Sequence, residues 1–571
     1  MIGTRMVPVS GSHGASGTLD GIGQRDHSAT SEYRIYGPPG AGKTTNLTRQ
    51  IRRAVDKYGP TAVLVTSFSR AAAAELAGRD LPVNRDHVGT LHSYCYRALD
   101  GPMIAEANVE DWNRGNPNLR ITPASRRRRL DGDDVVEDDP ATAKEGDSLL
   151  QQLNRLRGMM MPMSAWPASI RHFNTHWHAY KDANHLLDFT DLIEVSMRNM
   201  AVAPGNPSVI FADEAQDLNP MQLALVRKWG ERAEYFILAG DDDQTVFWFA
   251  GASPDAILDP DIPEDHKIIL KQSYRVPRSI HRLSDRLIRQ VARRQEKPYL
   301  PRPEDGAIER IGGGFKSPEY YILKSATEHI GRGQTVMFLA ACSYMLSPVI
   351  AVLRKNGIPF HNPYRRSNGF WNPLRLASSG SSANRILALL AAHPDYGGTH
   401  RPWTYGDLAS WSEWLAGADM FTPGATQMIN STKPTTPVTV EDLMGIFQPA
   451  ALDSLVAAYD GGYRNLLWWW RRHVRAAVHD RIQFPADIAA MRGPRTLVEK
   501  PQVVVGTIHS VKGGEADVVY LFPDLSRAGD ASLNRGGADR DAVIRLFYVG
   551  MTRARHKLYI CQPESPMAIR F

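Results

Sequence analysis

Short apolar runs recur along this chain, and several lead into a glycine-rich or acidic turn followed by a helical pattern. The run at 33–36 meets the loop GPPGAGKTT at 37–45, and a helix-like stretch follows to about Ala54. A strand is predicted at 61–68 (TAVLVTSF) and an alanine-rich helix at 71–77. The rhythm returns with strands at 208–213 (SVIFAD), at 235–241 (YFILAGD) and from about Ile268. It continues with TVMFLAA at 335–341, a helix at 347–357, VVVGTIHS at 503–510, DVVYLFPD at 517–524 and KLYICQP at 557–563. Strand, loop and helix in alternation argue for an α/β fold with parallel sheets.

Two stretches break this rhythm. From about 100 to 185 the pattern is helical, around a loop carrying RRRR at 126–129 and DGDDVVEDD at 131–139. Residues 362–500 are rich in Trp, Pro, Gly and Ser and include WWWRR at 468–472. We read the chain as two α/β modules, each with an insertion. Residues 1–30 form a tail, 31–99 with 186–268 the first module, and 100–185 its insertion. Residues 269–361 with 501–571 form the second module, and 362–500 its insertion. No internal repeat is apparent.

Composition narrows the picture modestly. The 571 residues are 43% hydrophobic and 22% charged, an ordinary globular balance with enough apolar material for several cores. No stretch approaches the roughly 18 apolar residues of a membrane span, and the beginning of the chain lacks a secretory pattern. Three scattered cysteines make no disulfide framework or zinc pair, so a reducing, cytoplasmic setting is expected. The net charge of +6 suits a polyanionic partner without demanding one. The Arg run and the Trp468–Trp470 cluster with Arg471 and Arg472 read more readily as solvated loop and core edge than as nucleic-acid contacts.

The chemistry starts at Gly37-x-x-x-x-Gly42-Lys43-Thr44, between a strand and a helix. Backbone N–H groups of Gly37, Pro38–Pro39–Gly40–Ala41 and Gly42 (the prolines excepted) can close around phosphates. Lys43 supplies a point charge, and the Thr44 hydroxyl, beside Thr45, suits Mg²⁺. The helix N-terminus favours an anion there. A second strand runs into Asp213-Glu214-Ala215-Gln216-Asp217. Asp213 is placed to hold Mg²⁺, and Glu214 to orient an attacking water. Together they imply hydrolysis of a nucleoside triphosphate without saying what work it drives.

The order of motifs resembles the UvrD/Rep/PcrA-type superfamily 1 DNA helicases. GPPGAGKTT resembles motif I, TSFSRAAAAEL (66–76) motif Ia, GTLHSYCYRAL (89–99) motif Ib and LLDFTDL (186–192) the DFDDLL segment. DEAQD resembles motif II, AGDDDQTVFWFAGA (239–252) motif III, QSYRVP (272–277) motif IV, GTIHSVKGGEADVVYL (506–521) motif V and RLFYVGMTRARHKL (545–558) motif VI. The resemblance implies two RecA-like P-loop motor domains with mainly helical insertions, and ATP with Mg²⁺ as the fuel. It implies that Gln244 couples the γ-phosphate to DNA, and that Arg275 and Arg553 reach that phosphate from the second motor domain. Glu515 would lie near the ribose. Phe68 and Phe249 would stack on bases, while Arg70, Thr90, His92, Thr507, His509 and Lys512 would follow the DNA backbone.

The implied activity is 3′→5′ travel on single-stranded DNA and unwinding at single-strand/duplex junctions, by a monomer or a DNA-dependent oligomer. Two other activities fit the same motifs: a translocase that displaces bound proteins with little unwinding, and a nucleotide-switched binding protein. The sequence departs from the family at Ala250, where an arginine is usual, and at Ala71, where a lysine is usual. Gln24 is a poor match to the adenine-reading glutamine.

Overall fold

The computed structural model describes residues 32–68, 78, 81–124, 145–365, 370–374, 380–396, 400–417 and 419–571. The tail, Arg70, the predicted helix at 71–77, and the Arg and acidic runs lie outside these residues. The chain divides into two compact units, Met1–Arg275 with Ile288–Arg302, and Val276–Leu287 with Pro303–Phe571.

The first unit is built on a six-stranded parallel sheet. Its strands are β1 (Glu32–Tyr36), β2 (Val63–Ser67), β3 (Val88–Thr90), β4 (Val209–Asp213), β5 (Tyr235–Gly240) and β6 (Lys267–Ile269), in the order β3-β2-β4-β5-β1-β6. Strands β1, β2 and β4 are buried along their whole length, as expected where helices cover both faces. One face packs Leu47, Ile51 and Val55 of the helix Lys43–Tyr58 against Val63, Val209 and Ile237. The other packs Leu225, Val226 and Trp229 against Ile210 and Leu238.

Strand β1 also carries a buried charge. Arg34 is fully buried and pairs with Glu32 at 2.7 Å, while its other nitrogens donate to the carbonyls of Ile257 and Pro260. Two further strands, β7 (Gln272–Pro277) and β8 (Leu300–Arg302), form a small two-stranded sheet.

The second unit repeats the plan. Strands β9 (Ala307–Ile311), β10 (Val336–Ala340), β11 (Phe360–His361), β12 (Val503–Thr507), β13 (Ala516–Leu521) and β14 (Ala554–Cys561) form a parallel sheet in the order β11-β12-β10-β13-β14-β9. The short or exposed strands β3, β9 and β11 escape a sequence reading because they lack a continuous apolar run.

Both insertions are helical over their described residues. The first has helices Glu110–Gly115, Glu145–Gly158 and Ala168–Ala183 around Trp112, Phe173 and Trp177, with the two tryptophan rings edge-to-face at 5.1 Å. The second has seven α-helices among its described residues, packed around Trp403, Trp411, Trp469 and Trp470. Trp468 is 60% exposed, with the Arg472 guanidinium 5.3 Å above its ring. The triple tryptophan is thus two core residues and one surface residue.

Candidate nucleotide and nucleic-acid site

Three neighbouring strands of the first sheet, β1, β5 and β4, end side by side, and each delivers one motif from its carboxyl end. This is where open parallel sheets bind ligands. After β1, Gly37 N–H donates to the Gly240 carbonyl at 3.1 Å, which ties the start of the phosphate loop to the end of β5. Gly40 and Gly42 take φ of +75° and +74°, which a side chain would strain. A Cβ on Gly40 would also lie 2.5 Å from the Arg275 Cβ, whereas one on Gly42 would meet nothing within 4 Å. The loop is therefore packed behind Gly40 and open at Gly42.

The carbonyls of the loop are held from outside it. Ser273 Oγ and the Tyr299 hydroxyl both donate to the Pro39 carbonyl, at 2.9 and 3.0 Å, and Tyr274 N–H donates to the Gly40 carbonyl at 2.8 Å. Ala41 N–H closes a turn onto Pro38 O at 3.0 Å. Lys43 Nζ donates to Gly37 O at 3.1 Å, so its ammonium lies across the mouth of the loop. The helix Lys43–Tyr58 has no side-chain cap and no acidic residue in its first turn. Its orphan N–H groups and dipole are left to favour an anion. Thr44 is partly exposed and Thr45 exposed.

After β4, Asp213 is 3% exposed and its Oδ1 accepts from Glu214 N–H at 3.0 Å. Glu214 takes a left-handed backbone, φ 52° and ψ 39°. For a non-glycine residue this costs roughly 1–3 kcal/mol and concentrates at functional sites. After β5, Asp241 Oδ2 accepts from Gln244 Nε2 at 2.7 Å.

The run Asp241–Asp242–Asp243 is a trio of buried carboxylates close enough to suggest a metal. Lys297 fills that role. Its ammonium lies 2.9 Å from Asp241 and 3.0 Å from Asp243, and also pairs with Asp242. Arg294 adds a two-pronged pair with Asp243, at 2.9 and 2.6 Å. Burial pushes Asp242 up to about 6, against the pull of Lys297. Burial also pushes Asp243 up, but Lys297 and Arg294 outweigh it and hold the group below the ordinary carboxylate range. Lys297 has no local sequence signal, because its partners lie more than fifty residues earlier.

The aromatic candidates Phe68 and Phe249 are partly exposed and joined by a third ring, Phe247, that carries no motif signal of its own. Phe247 lies 5.1 Å from Phe68 and 6.1 Å from Phe249, centroid to centroid. A run of partly exposed aromatics suits stacking on bases without reading them.

Several expectations need correction. Arg275 belongs to the phosphate-loop unit by its packing, not to the second compact unit, because β7 enters beside Gly40. Thr90 and Thr507 are buried, and their hydroxyls accept from Ser93 N–H and Ser510 N–H, at 3.3 and 3.2 Å. Each closes a turn rather than facing a DNA backbone. The two pentapeptides GTLHS (89–93) and GTIHS (506–510) make the same turn after β3 and β12, with Ser93 and Ser510 donating back to the carbonyls of Thr90 and Thr507. They are a short internal repeat, one in each unit, where no repeat was expected.

Beside these threonines, His92 is partly exposed and burial pushes its imidazole down to about 4, so it is neutral near pH 7. His509 is buried, and Lys512 partly exposed. Arg553 is also buried, with its guanidinium donating to the carbonyls of Val549 and Gly514 at 3.0 and 3.2 Å. Glu515 is exposed and 3.5 Å from Arg555.

A phosphate loop, an acidic strand end and a buried glutamine on adjacent strands of one parallel sheet, with a second sheet of like plan, define a P-loop protein with two RecA-like motor domains. The UvrD/REP helicase N-terminal domain model matches residues 23–262, and the UvrD-like helicase C-terminal domain model matches 502–561. The chain belongs to the UvrD/Rep/PcrA-type superfamily 1 helicase family.

It is 25% identical over 288 residues to the putative ATP-dependent DNA helicase YjcD of Bacillus subtilis, covering 45% of this chain and 36% of that protein. It is 27% identical over 354 residues to the ATP-dependent DNA helicase UvrD1 of Mycobacterium tuberculosis, covering 55% and 44%. It is 26% identical over 296 residues to the ATP-dependent DNA helicase PcrA of Staphylococcus aureus, covering 46% and 38%. The matched part therefore spans less than half the length of each of these relatives.

Proposed function

We propose that the protein is an ATP-driven motor that moves 3′→5′ on single-stranded DNA and separates duplex at junctions. The observation that carries this reading is the alignment of three strand ends. The phosphate loop, Asp213–Glu214 and Gln244 all issue from the carboxyl end of one sheet, and the Phe68–Phe247–Phe249 aromatics lie in the same unit. Lys43 and the loop N–H groups bind the phosphates. Glu214 holds the attacking water and takes its proton, and Gln244 senses the γ-phosphate. Thr44 and Asp213 offer the hydroxyl and carboxylate oxygens that Mg²⁺ takes, and the open side of the loop at Gly42 leaves room for a phosphate. Bound there, Mg²⁺ would neutralise charge on the phosphate oxygens.

Arg275 beside Gly40 supplies a guanidinium for the γ-phosphate. The relatives' printed names support DNA as the track. A cytoplasmic setting fits the three free cysteines, two of them buried. No helix among the described residues is long and apolar enough to cross a membrane.

The test is steady-state ATP hydrolysis with and without single-stranded DNA, wild type beside Lys43→Ala. We expect strong stimulation by DNA, and a fall of at least about 100-fold in the variant, since the ammonium that meets the charge of the transferring phosphoryl group is lost. Hydrolysis that ignores DNA would overturn the motor reading in favour of a nucleotide switch. Strand separation on 3′-tailed and 5′-tailed duplexes then tests direction.

A further inference from the structure

One residue of the acidic motif, Gln216, has no assigned part in the reaction. Gln216 follows Glu214 by two positions, is fully buried, and uses both ends of its amide. Its Nε2 donates to Glu214 Oε2 at 2.6 Å, and its Oε1 accepts from Asp241 N–H at 3.0 Å. Asp241 in turn accepts from Gln244 through Oδ2. One chain of hydrogen bonds therefore runs from the Glu214 carboxylate, through Gln216 and Asp241, to Gln244.

The surroundings are shaped for that amide. Gly240, the last residue of β5, lies so close that a Cβ there would fall 2.2 Å from Gln216 Oε1. Glu214 itself sits on a left-handed backbone turn, and the Gln216 amide holds one oxygen of its carboxylate.

We propose that Gln216 is a positioning residue for hydrolysis. It fixes the Glu214 carboxylate in the orientation that receives the proton of the attacking water, and ties that orientation to Gln244. Asp241 completes the link through its main chain on one side and its carboxylate on the other. A change at the γ-phosphate sensor is thereby transmitted to the base within a single unit of the protein. The inference rests on the reading of Glu214 as the base.

The experiment compares the full-length wild type with Gln216→Met, Gln216→Glu and Glu214→Gln. It measures DNA-stimulated kcat and KM for ATP, and Kd for a fluorescent ADP. Methionine keeps length and removes both hydrogen bonds. Glutamate keeps the acceptor for Asp241 N–H and puts an oxygen where the donor to Glu214 stood. We expect both Gln216 variants to lose roughly 10- to 100-fold in kcat, with KM and the ADP Kd within about twofold of wild type.

A kcat within about twofold of wild type in either variant overturns the proposal. So does a kcat loss matched by an equal loss of ADP binding, which would make Gln216 a structural support of the pocket. Full turnover by Glu214→Gln would instead sink the reading of the base. An inactive Glu214→Gln beside a fully active Gln216→Met sinks this inference alone.

Discussion

At the scale of the residue, the site depends on side chains whose work is done on the main chain. Thr90 and Thr507 show this: from sequence each is a hydroxyl on a DNA track, yet each is spent on closing a turn. Their neighbour His92 carries a testable consequence. Its imidazole falls to about 4 in the folded protein, against about 6.5 when unfolded. Between those values the unfolded chain binds the extra proton. The contribution of the neutral ring to stability is therefore complete above pH 6.5 and is lost as pH falls through 4. Chemical denaturation at pH 7.0 and 5.0 should show a smaller acid-induced loss in His92→Gln than in wild type, and equal losses would discount the burial of the ring. The position of the glycine-rich and acidic motifs at strand ends was legible because an apolar run leads into each of them. The uses of Thr90, Thr507 and Arg553 were not, because a hydrogen-bond partner cannot be read from a residue type.

At the scale of the element, the segment LLDFTDL explains itself only in three dimensions. The helix Phe189–Asn199 opens with a reciprocal cap between Asp188 and Asp191. Both carboxylates face Arg157 and Lys181 from two helices of the insertion, at 2.9 and 2.6 Å for Arg157 and 2.6 and 2.5 Å for Lys181. Trp177 Nε1 donates to Asp188 as well, at 3.1 Å. Asp188 is fully buried, and although burial alone would raise its pKa, the two cations hold it well below the ordinary carboxylate range.

Removing one cation leaves charge uncompensated. Arg157→Ala should cost about 3–5 kcal/mol in urea denaturation, and a loss under 1 kcal/mol would contradict this account of the cap. The insertion is thus fastened to the motor sheet's own helix by ions rather than by apolar contact alone. Composition showed a helical insertion but could not pair its charges, since Arg157 and Lys181 stand 31 and 7 positions from Asp188.

At the scale of the whole molecule, the boundaries drawn from sequence shift. The apolar rhythm begins a second module at 269, but the first compact unit keeps the chain to Arg275 and takes it back from Ile288 to Arg302. The returning segment brings Lys297 to the three aspartates after β5 and Tyr299 to the phosphate loop. Lys297→Met should strip the carboxylate trio of the ammonium that all three share and destabilise that unit by about 3–5 kcal/mol. Hydrogen exchange should then quicken in β4 and β5 and stay unchanged in β10 and β13. Uniform quickening, or none, would refute a local clasp.

The same interrupted path constrains birth on the ribosome. Synthesis advances at about 5–20 residues per second, and earlier domains usually fold first. Here the phosphate-loop unit cannot neutralise Asp241–Asp243 until Lys297 has left the exit tunnel, by which time part of the next unit is already made. The second sheet waits longer still, because β14, which joins β13 to β9, is the last of its strands in chain order. All strands of the first sheet and Lys297 precede β9, so that sheet can close before any strand of the second has left the tunnel, whereas β9 must wait for its neighbour β14, and it is this wait that calls for chaperone protection.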